Sequence, residues 1–381
     1  MIKKIIGKIH LWLGFTSGLV VFILSVTGCI LAFQQEIEEL IHPYNHVEAQ
    51  SNSKHLSPST LKAIAEKELP GKPANGITYR EHNKSAMVYF WALEPEYYYI
   101  AHINPFTGEL LKIENIEKSF FHFILHGHYY LWLPEETGKT VAASATLIFF
   151  VMLVTGLFLW FPRSKGAANQ RFKINWKARW RRINYDLHNV LGFYILLIGL
   201  TIAVTGLVMG FEWFAKSFYW TTSGGETFID YYDPPSDTAK VKVTFDEKNP
   251  VDIIWKKFYD KLPEGSGMYV AFPLTKTSPI NIFVNHRPGT YYKVDYHYFD
   301  QYTLEEIPVK GPHGGKYKEA GFGDKLHRMN YDIHIGAILG LPGKILAFCA
   351  SFICATLPIT GFIIWWGRRK KDKTKSNVGN E

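Results

Sequence analysis

Four apolar runs constrain this chain of 381 residues more than any other feature: Leu11–Phe33, Val141–Phe161, Val190–Phe211 and Ile345–Trp366. Each holds about the 20 residues that a helix needs to cross a hydrocarbon layer of roughly 30 Å. Backbone in lipid must satisfy its own N–H and C=O groups, so each run is expected to be a helix. The first run contains no charged residue. It is too long for a typical signal peptide, and no A-x-A site follows it. "VTGC" at 26–29 has a faint look of a lipoprotein cleavage box, but the repeat described below argues for an uncleaved span.

Charge sets the expected orientation. Lys3, Lys4 and Lys8 precede the first run. Arg163, Lys165, Arg171, Lys173, Lys177, Arg179, Arg181 and Arg182 separate the second from the third. Arg368, Arg369, Lys370, Lys371, Lys373 and Lys375 follow the fourth. The positive-inside rule puts these segments in the cytoplasm, with both termini. The formal net charge of +8 is therefore a topology signal, and no nucleic-acid partner is expected. The expected layout is a multi-pass membrane protein. Its parts are helix 1 (1–34), an external segment (35–140), helix 2 (141–162), a basic loop (163–186), helix 3 (187–213), a second external segment (214–341), helix 4 (342–367) and a basic tail (368–381). Cys29, Cys349 and Cys354 all fall in apolar runs and are expected as free thiols.

The two halves repeat. From His10, Gly14 stands at +4 and "SVTG" ends at Gly28, at +18. From His188, Gly192 stands at +4 and "AVTG" ends at Gly206, at +18. Before the second and fourth runs, Leu133-Pro134 follow His126 and Leu341-Pro342 follow His334, both at +7 and +8. "LVTGLFLWFPR" and "PITGFIIWWGRR" come next. The external segments repeat more weakly, each with a helix-like stretch (Pro58–Glu68, Pro250–Lys261) and then Tyr/Phe/Val-rich alternation. The fold expected is an α-helical membrane protein with four spans. It is a duplicated helix–module–helix unit carrying two small α+β modules, related by a pseudo-two-fold along the membrane normal.

A parallel two-fold sets equivalent residues at one depth, so His10 pairs with His188 and His126 with His334. Each of His10 and His188 heads a helix face of small residues: Gly14, Val21, Ser25 and Gly28, or Gly192, Gly199 and Gly206. Such stripes serve close helix packing. They also admit a flat ligand held at its centre by opposed imidazoles, which is a haem geometry in helical bundles. Zinc prefers a cluster of four ligands, and none is written here. Copper on His122, His126 and His128 is a competing reading. On local grounds His122 or His128 can replace His126 externally, and His327 lies one heptad before His334. Trp12, Trp160, Phe161, Trp365 and Trp366 gather at the cytoplasmic ends, as interfacial belts or as a bridge for electrons. The two "NYD-x-His" stretches, at 184–188 and 330–334, are read as polar starts of membrane helices.

The motifs H-x-x-x-G opening spans one and three, LH…LP…GK before spans two and four, and TG[LF]..W[FW] closing them resemble the PepSY-associated transmembrane family. The modules, with "INPFTGELLKIE" at 103–114, resemble PepSY domains; Leu304 stands where the first module has Gly108, so its turn is expected to differ. Members of that family include haem-containing inner-membrane reductases acting on ferric siderophores. The resemblance implies two haem b groups on His10, His188, His126 and His334 as cofactor-binding and metal-ligating residues. It implies reduction of a periplasmic ferric siderophore or other Fe(III) chelate, with a cytoplasmic flavin or iron–sulfur donor and membrane lipid as partners. The alternative is a non-enzymatic PepSY membrane anchor that binds a periplasmic partner. A transporter fits less well, because no acid or base lies mid-span.

Overall fold

The computed structural model describes residues 1–48, 54–162, 171–240 and 249–378. Arg163 and Lys165 lie outside the described residues, as do the side chains of Lys370, Lys371, Lys373 and Lys375. The first half runs through helices α1 (Ile2–Leu31), α2 (Gln34–Ile41) and α3 (Pro58–Glu68). Strands β1 (Gly76–Tyr79), β2 (Ala86–Leu93), β3 (Glu96–Ile103) and β4 (Leu110–Asn115) follow, then α4 (Phe120–Tyr130) and α5 (Glu135–Trp160). The second half holds α6 (Trp180–Tyr194), α7 (Leu196–Gly210), α8 (Glu212–Ser223) and α9 (Pro250–Tyr259). Strands β5 (Gly267–Ala271), β6 (Ile280–Asn285) and β7 (Val294–Phe299) come next, then α10 (Phe322–His334) and α11 (Leu341–Val378). The chain forms two compact units: Met1–Gln34 with Ile124–Ala215 and Ile333–Glu381, and Gln35–Phe123 with Lys216–Asp332.

In the helical unit, α1, α5 and the first 29 residues of α11 are long and apolar enough to cross a membrane. The run Val190–Phe211, read from sequence as one helix, divides at Ile195 instead. There α6 and α7 meet at 64°, and the pair makes a fourth span if counted as one. A π-helical turn, Leu187–Leu191, precedes the bend and carries His188. Such turns interrupt regular helices and are frequent at functional sites. Helix α1 packs on α5 and α11, α5 packs on α7, and α11 packs on α6 and α7, so these helices close on one another.

The sequence reading separates two external modules, and here the structure corrects it. Their strands form one seven-stranded sheet in the order β4-β3-β2-β1-β5-β6-β7. Neighbours are antiparallel throughout, and β1 joins the halves by pairing with β5, Ile77 opposite Val270. One core serves both halves. Leu61 and Ala65 of α3 and Ile254 and Trp255 of α9 are buried with Ile77, Val88, Phe90, Val270 and Ile282. The helix starts repeat too. Ser57 caps α3 by accepting from Thr60 N, Asn249 caps α9 by accepting from Val251 N, and a proline takes the first position of each.

The turn around Leu304 is a second correction, because it matches its counterpart. Asn104 Oδ1 accepts from Phe106 N and Thr107 N, and Gly108 N donates to Asn104 O at 2.9 Å. Asp300 Oδ1 accepts from Tyr302 N and Thr303 N, and Leu304 N donates to Asp300 O at 2.9 Å. Leu304 adopts φ +58° against +77° for Gly108. The left-handed region costs a leucine about 1–2 kcal/mol, which is offset because Leu304 packs on the shared core.

Because one core spans both halves, Ile254→Ala is expected to cost about 2–5 kcal/mol and to loosen strands of the other half. Hydrogen exchange should quicken in β1 and β2 as well as in β5 and β6. Exchange confined to β5–β7 would mean two separate cores.

Candidate functional site

Each of the four apolar spans carries one Thr-Gly dipeptide: 27–28, 155–156, 205–206 and 360–361. In the helical unit each dipeptide receives one histidine. His10 Nδ1 lies 2.9 Å from Thr155 Oγ1, and His188 Nδ1 lies 2.9 Å from Thr360 Oγ1. His128 Nδ1 lies 2.9 Å from Thr27 Oγ1, and His334 Nδ1 lies 2.9 Å from Thr205 Oγ1. The glycine after each threonine makes room for the ring. A Cβ on Gly156 would stand 3.4 Å from His10 Cε1, and one on Gly28 would stand 3.4 Å from His128 Cε1. A Cβ on Gly206 or Gly361 would stand 3.3 Å from Cε1 of His334 or His188. That is tighter than ordinary contact, so any larger residue would crowd the imidazole.

The pairing crosses within each half. The histidine at the start of one span is held by the dipeptide near the end of its neighbour, and the duplication repeats the arrangement. The structure therefore brings together His10 and His188 at one end and His128 and His334 at the other. His126, the residue selected by the Leu-Pro register, does not take that place; its ring contacts Tyr130 at 5.1 Å. The His128 and His334 rings stand 6.3 Å apart between centres. The reason lies in the connectors. Leu131 and Trp132 turn the chain tightly with φ of +56° and +57°, whereas the second half passes through Gly336 and Gly340. The connectors differ in length, so Leu-Pro is a poor anchor for register. Counting to the next Thr-Gly succeeds: His128 to Gly156 is 28 residues, His334 to Gly361 is 27, and His126 to Gly156 is 30.

His10 and His188 line a cavity of about 680 Å³ inside the helical unit. The volume lies within the range of about 300–1,000 Å³ usual for cofactor sites. Gly14, Gly18 and Gly192 supply flat wall, and Trp160 and Phe193 stack beside it at 3.9 Å and 9°. Lys3, Lys4, Lys8 and Arg368 belong to the same lining, so an apolar interior carries cations. Among the described residues no group of three or more His, Cys, Asp or Glu side chains could hold a metal ion. The histidines come as two pairs. His122 and His327 stand outside these pairs, and His327 contacts Phe228 and His313 in the sheet unit.

The two NYD stretches end up inside helices rather than starting them. Asp186 Oδ2 accepts from the backbone N–H of Asn175 at 3.2 Å and from Arg182 Nε. Asp332 accepts the Tyr291 N–H with both oxygens, at 3.1 and 2.9 Å. Each aspartate thus ties a helix to a preceding loop, which corrects the capping role read from sequence. Asn184 Nδ2 donates to Thr360 O at 3.0 Å and helps seat α6 on α11.

The PepSY-associated TM region model matches residues 8–368. The chain belongs to that family. No curated protein matches it. Within this PepSY-associated chain the matched region contains all four histidines and all four Thr-Gly dipeptides. Replacing the small residue tests the cradle. Gly361→Leu is expected to cost about 1–3 kcal/mol by overpacking, read as a lower unfolding midpoint in detergent. Gly367→Leu, where no atom would lie within 4 Å of a Cβ, should leave the midpoint unchanged.

Proposed function

We propose that this membrane protein is a di-haem electron-transfer protein that reduces an external Fe(III) chelate, such as a ferric siderophore, with electrons from a cytoplasmic flavin or iron–sulfur donor. In this reading its setting is a bacterial inner membrane with both termini in the cytoplasm. The observation that carries the reading is the double pairing of histidines, each ring seated in its own Thr-Gly cradle. His10 and His188 would hold one haem b, and His128 and His334, in place of the expected His126, the other.

The residues around His10 and His188 fit such a group. The cavity between His10 and His188 is apolar with flat glycine walls, as a porphyrin face requires, and its lysines and Arg368 suit the two propionates. His128 and His334 stand 6.3 Å apart between ring centres and would hold the second group between them. Haem bound through two histidines supplies one-electron chemistry and leaves no open position for oxygen. Arg171 bonds Tyr185 and Asn189, and Arg182 pairs with Asp186 at 2.9 Å. Lys173, Lys177, Arg179 and Arg181 remain exposed to attract an acidic donor. Reduction to Fe(II) weakens hard-oxygen chelation, so the metal can leave its chelator.

Absorption spectra of the purified protein, with a haem assay, test the reading. Sharp low-spin bands and two haems per chain are expected; a colourless protein after haem-replete expression would sink it. His188→Ala and His334→Ala should each remove one haem. His128→Ala should remove the same haem as His334→Ala, whereas His126→Ala should keep both. In vesicles loaded with a reductant on the cytoplasmic side, reduction of an outside Fe(III) chelate should fall at least tenfold in His128→Ala. Equal rates would exclude that histidine from the path.

A further inference from the structure

The threonines do more than occupy space beside the rings. Each hydroxyl also lies against carbonyls of its own helix. Thr27 Oγ1 donates to Ile23 O at 2.7 Å and lies 3.1 Å from Leu24 O. Thr155 reaches Val151 O at 2.9 Å and Met152 O at 3.1 Å. Thr205 reaches Thr201 O at 2.9 Å and Ile202 O at 3.0 Å, and Thr360 reaches Thr356 O at 2.9 Å and Leu357 O at 3.1 Å. A hydroxyl has one proton, and a carbonyl only accepts. With that proton committed to the helix, Oγ1 faces the imidazole as an acceptor, so the ring must donate from Nδ1.

A second contact reaches the same result without the hydroxyl. His334 Nδ1 lies 3.1 Å from Ile202 O, and a carbonyl oxygen cannot donate. At His10, His128 and His188 the threonine hydroxyl is the partner of Nδ1. Were Nδ1 of His334 unprotonated, its lone pair would face that of a carbonyl. A neutral imidazole carries one N–H, so proton placement at Nδ1 leaves Nε2 with its lone pair free.

We infer that Thr27, Thr155, Thr205 and Thr360 are positioning residues that fix their histidines as Nδ1–H tautomers, presetting Nε2 as the metal-binding atom. The tautomer follows from hydrogen bonding alone; its use rests on the haem reading above. Because the bonds cross between helices, Thr155 and Thr360 act on the His10/His188 pair. Thr27 and Thr205 act on the His128/His334 pair. Partners of this kind hold ring orientation and raise ligand basicity, and their loss typically weakens metal binding about 10- to 100-fold.

Two measurements test this. The first uses the haem-free full chain in detergent, labelled with 15N-histidine. The resonances of His10, His128, His188 and His334, assigned by substitution, should show the Nδ1–H form. Thr155→Val and Thr27→Val should release the tautomer of His10 and His128 respectively, Thr→Ser should keep it, and Thr205→Val should leave His334 held by the Ile202 carbonyl. Nε2–H rings in the parent chain would overturn the proposal, and that spectrum decides even if a valine variant fails to assemble. The second is redox titration of the haem-loaded protein. Thr360→Val should raise the midpoint of one haem and loosen it about 10- to 100-fold, Thr27→Val should do so for the other, and Thr→Ser should restore both. Unchanged midpoints in both valine variants would overturn the positioning role. A colourless parent chain with Nδ1–H histidines would instead sink the haem reading and leave the tautomer standing.

Discussion

An imidazole among apolar helices is costly unless its nitrogens have partners, and the helical unit is organised around that constraint. The partner for each Nδ1 is a threonine on another span, so four hydrogen bonds cross-link the helices at two levels. The bond sets how close the helices come, and the glycine beside each threonine exists because the ring must fit there. Helix association in lipid draws little from hydrophobicity and much from close packing and polar contacts of this type. The contacts that stabilise the bundle are thus the same ones that orient the four rings.

The arrangement comes twice, and one sheet joins the two halves. The segments after spans one and three share a capped helix and an Asx-type turn at 104–108 and 300–304, and bring four strands and three strands to the sheet. They no longer close separate cores. Pairing of β1 with β5 removes an unpaired edge from each half, the usual liability of a small sheet, and lets α3 and α9 share one apolar layer. Leu304 holds a left-handed backbone that glycine holds in the other half, so the turn outlasted the residue best suited to it.

Much of this was legible along the chain. The four apolar runs, the basic segments and the two external helices at Pro58 and Pro250 were readable from hydropathy, charge and capping residues. Three of the four paired histidines, His10, His188 and His334, were readable from their spacing to Gly14, Gly192 and Gly361. His128 was not chosen because Leu133-Pro134 and Leu341-Pro342 look like fixed points while the turns before them differ in length. The Thr-Gly dipeptides were visible as repeat markers. Their number, one per span and one per paired histidine, was the signal that they belong to the site.

The sequence by itself determined that the chain enters a membrane and that histidines stand near the ends of its apolar runs. Those properties follow from composition and from spacing along one helix, where 3.6 residues per turn relate neighbours directly. Which histidine meets which threonine, the bend at Ile195 and the fusion of two modules into one sheet were decided only by tertiary structure. The histidine–threonine pairs and the single sheet depend on residues more than a hundred positions apart, brought together by helix crossing and strand pairing. The length of a connecting turn, invisible to periodicity, then decides which of two nearby imidazoles faces the bundle.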